Sequence, residues 1–347
     1  MPVRIVAFGS NGSGQLGIGH TDDVDIPTPC RLATDLFPNE SIVQFAAGGN
    51  HTLCLTSTGR VFATGSNESG RCGVSSAITL ATEFRPVTFA KEDEDEPARV
   101  TSIGATWEAS FFVVDDKRIY ACGRGDRGEL GLGCARAVAL TPTLILNLAE
   151  LGSDERVSSI SAGVSHVVLS TSTGRLFGWG ACRKGQLGED LSALKVAWEV
   201  RETNVPFPVR LVAAGRDYTC IVGGSGKMHL LGRNNILGDN QNSTDLGAID
   251  EIASGWTTVT VRQGGQLRGL GRNNHKQLPP PNLAQVSLLA VGSEHSIALD
   301  TTGQLLAWGW GEHGNCGRPR AFSDAGATAN VNALCCLVLD VRQVLPL

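Results

Sequence analysis

The chain has 347 residues, a formal net charge of −5 at pH 7 and a sequence pI near 5.8. Its composition, 41% hydrophobic and 18% charged, is that of a compact soluble protein, and no apolar run approaches the roughly 20 residues of a membrane helix. The start MPVRIVAFGS lacks the succession of charged, apolar and small residues of a signal peptide. We expect a protein of the cytoplasm, with the nucleus as a second compartment. Direct DNA binding is not expected, because it depends on Lys and Arg that neutralise phosphates, and this chain has a net negative charge.

Two short phrases alternate along the chain. The first is framed by glycine and occurs seven times: GSNGSGQLG from Gly9, GSNESGRCG from Gly65, GRGDRGELG from Gly123, GACRKGQLG from Gly180, GRNNILGD from Gly232, GRNNHKQL from Gly271 and GWGEHGNCG from Gly309. The second occurs six times: AGGNH ending at His51, GATWE at Glu108, AGVSH at His166, AGRDY at Tyr218, SGWTT at Thr258 and VGSEH at His295. Self-similarity at this spacing predicts an array of equivalent supersecondary units.

Each unit predicts a small antiparallel sheet. Residues 42–73 contain three short runs with period-two alternation, broken at Gly48-Gly49, Thr58-Gly59 and Ser66-Asn67. A lone sheet of this kind cannot bury both faces, whereas neighbours stacked in a ring can. We therefore predict an all-β fold, a seven-bladed propeller of four-stranded antiparallel blades that forms a single domain over residues 1–347.

Closure of the ring is the least regular part of the pattern. The second phrase is missing from the unit that begins with the predicted N-terminal strand, residues 3–8. Pairing of the N- and C-terminal segments would remove an exposed sheet edge, and residues 332–347 are apolar enough to supply the partner strand. These residues lack the Gly phrase, so we expect residues 319–347 to be divergent or partly ordered.

The sequence offers no catalytic or cofactor site. GSNGSGQLG lacks the Gly-Lys-Ser/Thr ending of a phosphate loop, and no CxxC or HxxxH pair suggests a metal site. A catalytic base needs one position with one set of neighbours, but His51, His166 and His295 recur at equivalent positions. We expect each of these imidazoles to bond loop backbone within its own blade. The prediction is a non-enzyme with no cofactor, whose cysteines are buried thiols in a reducing compartment.

Some side chains are not required by the repeat and are our candidates for partner binding: Trp107, Trp256, Trp310, Glu312 and His313. A tryptophan buries a large area with little loss of entropy and keeps a polar N–H, which is why interfaces favour it. The alternative for Trp107 and Trp256 is that they plug the central channel or the core between blades. Trp179 and Trp308 have the strand setting of blade core.

The phrases resemble the repeats of the regulator of chromosome condensation family, seven-bladed propellers, over roughly residues 4–318. More narrowly, AFGSNGSGQLGIGH at 7–20, VGSEHSIAL at 291–299 and WGWGEHGNCG at 308–317 are similar to one fungal branch, the alpha-tubulin suppressor or killer-toxin-insensitivity proteins. The narrow resemblance implies a non-enzymatic adaptor. It would form a heterodimer with the CSL-type zinc-ribbon protein of diphthamide synthesis, which carries the metal, and would act indirectly with Elongator in the modification of wobble uridine in tRNA. The alternative, implied by the family's namesake, is a Ran-type guanine-nucleotide exchange factor on chromatin.

Overall fold

The computed structural model describes residues 5–89, 99–151, 154–232, 236–238 and 241–317, and the backbone of a strand at 335–338. The strands in chain order are β1 (Ile5–Gly9), β2 (Val24–Pro29), β3 (Ile42–Ala47), β4 (His51–Thr56), β5 (Val61–Ser66), β6 (Leu80–Pro86), β7 (Val100–Ala105), β8 (Ala109–Val114), β9 (Arg118–Arg124), β10 (Val138–Asn147), β11 (Val157–Ala162), β12 (His166–Thr171), β13 (Leu176–Ala181), β14 (Val196–Thr203), β15 (Val209–Ala214), β16 (Tyr218–Gly223), β17 (Lys227–Gly232), β18 (Ser243–Asp245), β19 (Glu251–Ser254), β20 (Thr258–Gln263), β21 (Gln266–Gly271), β22 (Val286–Val291), β23 (His295–Asp300), β24 (Leu305–Gly309) and β25 (Cys335–Val338). A short helix, α1 (Glu189–Ser192), precedes β14, and 3-10 turns occupy Glu68–Gly70 and Leu148–Leu151. No helix within the described ranges has the length and apolar character needed to cross a membrane.

Across the described ranges, consecutive strands form six antiparallel blades, which confirms the all-β propeller. They are blade 1 (β3–β6), blade 2 (β7–β10), blade 3 (β11–β14), blade 4 (β15–β18), blade 5 (β19–β21) and blade 6 (β22–β24). The first strands of successive blades contact one another around the axis of the ring. The register is equivalent in each blade: His51 on the second strand pairs with Gly65 on the third in blade 1, and His295 pairs with Gly309 in blade 6.

The prediction of seven four-stranded blades is wrong. Within the described residues, the structure has six blades built from consecutive strands, and blades 5 and 6 have three strands each. The seventh Gly phrase belongs to a separate sheet, here called the terminal sheet, in which β1 pairs with β2 and with β25. In each blade the Gly phrase begins at the end of the third strand. By this criterion β1 is equivalent to the third strand of a blade. The terminal sheet has no equivalent of the first strand among the described residues. The second phrase marks the turn between first and second strands, and its six copies give the blade count.

The terminal sheet lies between blades 6 and 1. On one side Phe8 packs with Ile297 of blade 6, and on the other Ile5 packs with Phe62 of blade 1. In β25, Val338 pairs with Ile5, at the opposite end of the chain. Apart from this strand, the segment 319–347 lies outside the described residues. The two ends of the chain thus meet at the seam where the ring closes.

The hydrophobic core is divided into clusters between neighbouring blades. Trp179 of blade 3 is fully buried against Phe111 of blade 2, with ring centroids 5.7 Å apart, and its indole N–H donates to the Glu129 carbonyl at 2.6 Å. Trp308 is buried between blades 5 and 6 in the same way, and its N–H donates to the Gln277 carbonyl at 3.1 Å. The core assignment of both tryptophans is confirmed. Because a large aromatic side chain contributes roughly 1.5–3 kcal/mol when buried, these rings help to hold neighbouring blades together.

Candidate functional site

Both repeated phrases lie at one end of the blades. The second phrase forms the turn between first and second strands, the inner turn, and the Gly phrase forms the loop that follows the third strand. The two are bonded together, since Ser66 N donates to Asn50 O in blade 1 and Trp310 N donates to Glu294 O in blade 6. We call this end of the ring the loop face. The loops are fixed from within: the Asn67 amide, for example, donates to the Ile78 carbonyl at 2.7 Å.

The inner turns explain the spacing between glycine and histidine in the second phrase. The imidazole of His51 folds back over Gly48, so closely that a Cβ on Gly48 would lie 2.1 Å from the ring. In blade 2 both members of this glycine–histidine pair are replaced. Thr106 replaces the glycine and Ala109, not Glu108, replaces the histidine, and Ala109 N donates to Thr106 Oγ1 at 3.2 Å. The glycine is therefore required by the ring that covers it.

Two of the buried histidines, His51 and His166, link blades, and the expectation that they bond backbone of their own blade is wrong. His51 Nε2 lies 2.9 Å from Ser110 Oγ in blade 2, and Ser110 Oγ donates to the Arg71 carbonyl. Because the Ser110 hydroxyl proton is used in that bond, Ser110 Oγ can only accept from His51, and His51 must carry its proton on Nε2 and donate it. His166 makes the same bridge to Thr219 of blade 4 at 3.0 Å. Sequence repeats report the local turn and carry no information about the neighbouring blade.

Burial keeps these rings neutral. It lowers the pKa of His51 from 6.5 to about 3, assisted by the Arg71 charge, and the pKa of His166 and His295 to about 4. The usual pKa falls because a low-dielectric interior disfavours the imidazolium. Neither ring nitrogen of His295 has a hydrogen-bond partner among the described residues. Recurring, enclosed and uncharged, the three rings are structural parts of the inner turns.

Backbone hydrogen bonds join neighbouring inner turns around the axis. They run from Gly49 N to Trp107 O (3.0 Å), from Trp107 N to Val164 O (3.3 Å), from Arg216 N to Trp256 O (3.2 Å) and from Trp256 N to Ser293 O (2.7 Å). Within this belt lies a cavity of about 570 Å³. All six inner turns line it, together with Ser10 and Gln15 of the terminal sheet and Trp310 and His313 beyond blade 6.

Trp107 and Trp256 meet across the axis at the mouth of this cavity. Their ring centroids are 6.1 Å apart, with 44° between the ring planes. Trp107 lies over Gly49, where a Cβ would come within 2.7 Å of the indole, and the Arg216 guanidinium lies 5.6 Å from the centre of the Trp256 ring. Trp107 keeps 45% of its surface exposed. The pair therefore lies at the central channel, as the plug alternative expected, and not in a core between blades; its role in partner binding stays a prediction.

The candidates that follow blade 6 lie beside the same cavity. Trp310 stacks on His275, with ring centroids 4.6 Å apart and 14° between the planes. His313 Nδ1 is 2.9 Å from Asp23 Oδ2, which ties this loop to the terminal sheet. Glu312 is exposed and does not line the cavity. The structure thus brings four of the five predicted residues to one cavity, three of them tryptophans.

Sequence reasoning missed two charged residues at this site. Arg216 is exposed on the inner turn of blade 4 beside Trp256. Glu294, on the inner turn of blade 6, is only 6% exposed and accepts a hydrogen bond from Gln277 Nε2 at 2.7 Å. The sequence signal that could have identified Glu294 is its place at the fourth position of the second phrase, immediately before the histidine. That position faces the Gly phrase of the preceding blade, as Asp217 does toward Lys184 at 2.6 Å.

Across the ranges that the structure describes, no group of three or more His, Cys, Asp or Glu side chains could hold a metal ion. None of the eight described cysteines is in a disulfide, six of them are buried, and burial raises the pKa of Cys220 and Cys122 above the usual range. Such thiols are poor nucleophiles and poor ligands.

Comparison with known proteins gives a consistent picture. A family model described as the RCC1-like domain matches residues 4–343. An RCC1 repeat-containing protein of Schizosaccharomyces pombe, C10F6.04, is 29% identical over 90% of this chain and 88% of its own length. The mouse secretion-regulating guanine nucleotide exchange factor is 26% identical over 90% of this chain and 75% of its own. The crystal structure of Prp20p from Saccharomyces cerevisiae superposes with a TM-score of 0.75 at 20% identity, covering 99% of this chain and 87% of that one.

That structural likeness supports the fold alone, but the family model extends over nearly the whole sequence. The all-β propeller, the two repeated phrases and the family match agree with one another. This chain belongs to the RCC1-like domain family.

Proposed function

We propose that the protein is a non-enzymatic adaptor that binds the CSL-type zinc-ribbon protein of diphthamide synthesis. Through that heterodimer it supports diphthamide formation on elongation factor two and, indirectly with Elongator, modification of wobble uridine in tRNA. The chain holds no cofactor, and the metal belongs to the partner. We propose that it acts in the cytoplasm and also in the nucleus.

The observation that carries this proposal is the convergence of Trp107, Trp256 and Trp310 on one cavity of the loop face. Tryptophans that are partly exposed around a concave centre are typical anchors of protein interfaces. The similarity of residues 7–20, 291–299 and 308–317 to the fungal branch selects the partner, and all three segments contribute residues to the cavity lining. In this mechanism the loop face covers one side of the zinc ribbon and limits access to its metal-thiolate centre. The electron-transfer chemistry stays with the partner.

The test is calorimetric titration of the full chain with the purified zinc-ribbon protein. We expect a one-to-one complex that Trp107→Ala weakens by roughly 30-fold or more, the effect of a central interface anchor. The matched control is Leu151→Ala, because Leu151 is 46% exposed but precedes the first strand of blade 3, at the other end of the ring. Absence of a complex would reject this partner, and equal effects of the two substitutions would reject the loop face as its binding site.

A second candidate function is nucleotide exchange on a Ran-type GTPase. It is favoured by the relatives, since one is named a guanine nucleotide exchange factor and Prp20p is described as having binding properties to Gsp1p and histones. The net charge of −5 disfavours chromatin as the location. The discriminating assay is release of labelled GDP from Ran. A release rate unchanged by stoichiometric protein supports the adaptor, whereas a large acceleration supports exchange.

A further inference from the structure

Glu294 is a buried carboxylate beside the central cavity with one neutral partner. It is only 6% exposed, lines the cavity, and accepts its hydrogen bond from the uncharged Gln277 amide. It forms no ion pair with any Lys, Arg or His of the described ranges. Carboxylates are rarely buried to this extent without a cation, because removing the charge from water is expensive unless it is paired. The site therefore has a buried carboxyl group with no cationic partner among the described residues.

The walls around Glu294 suit a cation. Trp107, Trp256 and Trp310 line the same cavity, and the face of an indole attracts positive charge. The Arg216 guanidinium lies 5.6 Å from the centre of the Trp256 ring, so one indole of the cavity wall already contacts a group of this kind. A volume of about 570 Å³ accommodates a long side chain.

The rim next to Glu294 is acidic as well. His313 lines the cavity and is held by Asp23, and the neighbouring Asp22 side chain is 89% exposed. Glu312 is exposed in the same loop as His313. Negative charge at the entrance raises the local concentration of cations and speeds their capture.

We propose that the cavity is a binding site for an arginine side chain supplied by a partner protein, with the guanidinium paired to Glu294 and lying against the tryptophans. Arginine is favoured over lysine because its planar fork can bond both carboxylate oxygens and stack on an indole at the same time. This inference deepens the proposed function of the loop face, on which it rests, and adds the chemistry of the group that is recognised.

The test uses the full chain and N-acetyl-L-arginine amide as the probe, followed by tryptophan fluorescence and calorimetry. Saturable binding in the millimolar range is expected, with weaker binding of N-acetyl-lysine amide and none of the neutral isostere N-acetyl-citrulline amide. Glu294→Gln should weaken binding of the arginine probe roughly 10- to 100-fold, the range for loss of a charge-assisted pair. Glu150→Gln is the matched control and should leave binding unchanged, because Glu150 is an exposed carboxylate in the 3-10 turn at the opposite end of the ring.

A measurement on the unaltered protein covers the case in which Glu294→Gln does not fold. The indole N–H signals of Trp107 and Trp256 should shift with the arginine probe but not with the citrulline probe, while the buried Trp179 signal stays in place. Equal effects of the two probes, or no saturation by the arginine probe, would overturn the proposal.

The same variants separate this inference from the adaptor function. If the arginine probe saturates but the zinc-ribbon protein does not bind, the cavity assignment stands and the partner is wrong. If the zinc-ribbon protein binds and Glu294→Gln leaves its affinity unchanged, the partner stands and the arginine site is rejected.

Discussion

Substitution of Gly309 by alanine should destabilise blade 6 and disturb the functional face at the same time. Gly309 has φ = +113°, a conformation that is strained for a residue with a Cβ and costs about 1–3 kcal/mol. The added Cβ would also lie 2.6 Å from both the Glu294 carbonyl oxygen and the His295 Cα. Those are backbone atoms, so the turn must move, at a further cost of about 1–3 kcal/mol. We expect a free energy of unfolding lower by roughly 2–5 kcal/mol.

Urea unfolding followed by circular dichroism measures this loss. Gly12→Ala is the matched control, because Gly12 lies in another copy of the Gly phrase, its φ is not positive, and its Cβ would meet no atom within 4 Å. The control should stay within about 0.5 kcal/mol of the wild type. A Gly309→Ala protein as stable as Gly12→Ala would refute the reasoning, since the turn would then have neither the strain nor the close backbone contact.

Two further predictions concern pH. The pKa of His166 is about 4 when folded and 6.5 when unfolded, so the unfolded chain binds more protons between these values and stability falls as pH drops. His166→Gln should therefore reduce the loss of unfolding free energy between pH 7 and pH 5 by on the order of 2 kcal/mol, and an unchanged loss would place this imidazole in contact with water. Burial raises the pKa of Glu155, but hydrogen bonds from Thr171, Thr173 and Arg175 outweigh it and hold the pKa below 4.5, so this carboxylate stabilises the fold above that pH. Glu155→Gln should lower stability by about 1–3 kcal/mol at pH 7 and flatten its decline below pH 4.5, as read from urea titrations, whereas a parallel decline would contradict the assignment.

The sequence predicted what is local to a repeat. The strands β3, β4 and β5 fall within the alternating runs of residues 42–73, and Gly309, in the Gly phrase, takes a positive φ that glycine adopts readily. Both follow from backbone sterics and side-chain alternation, which act over a few residues.

Contacts between units could not be derived in the same way. The approach of Trp107 to Trp256 and the bridge from His51 to Ser110 depend on how blades are arranged in the ring. The count of blades failed for a related reason. The Gly phrase at Gly9 reports the end of a third strand and says nothing about whether a first strand accompanies it, whereas the inner-turn phrase reports that strand directly.

The most direct test of the adaptor function is amide hydrogen exchange of the full chain, read by mass spectrometry, with and without the purified zinc-ribbon protein. We predict slower exchange on binding at the inner turns, residues 106–108, 255–257 and 292–294, and in the loop 310–313. Protection confined to the opposite end of the blades, at residues 57–60, 115–117 and 172–175, would contradict this prediction and move the partner to the other face.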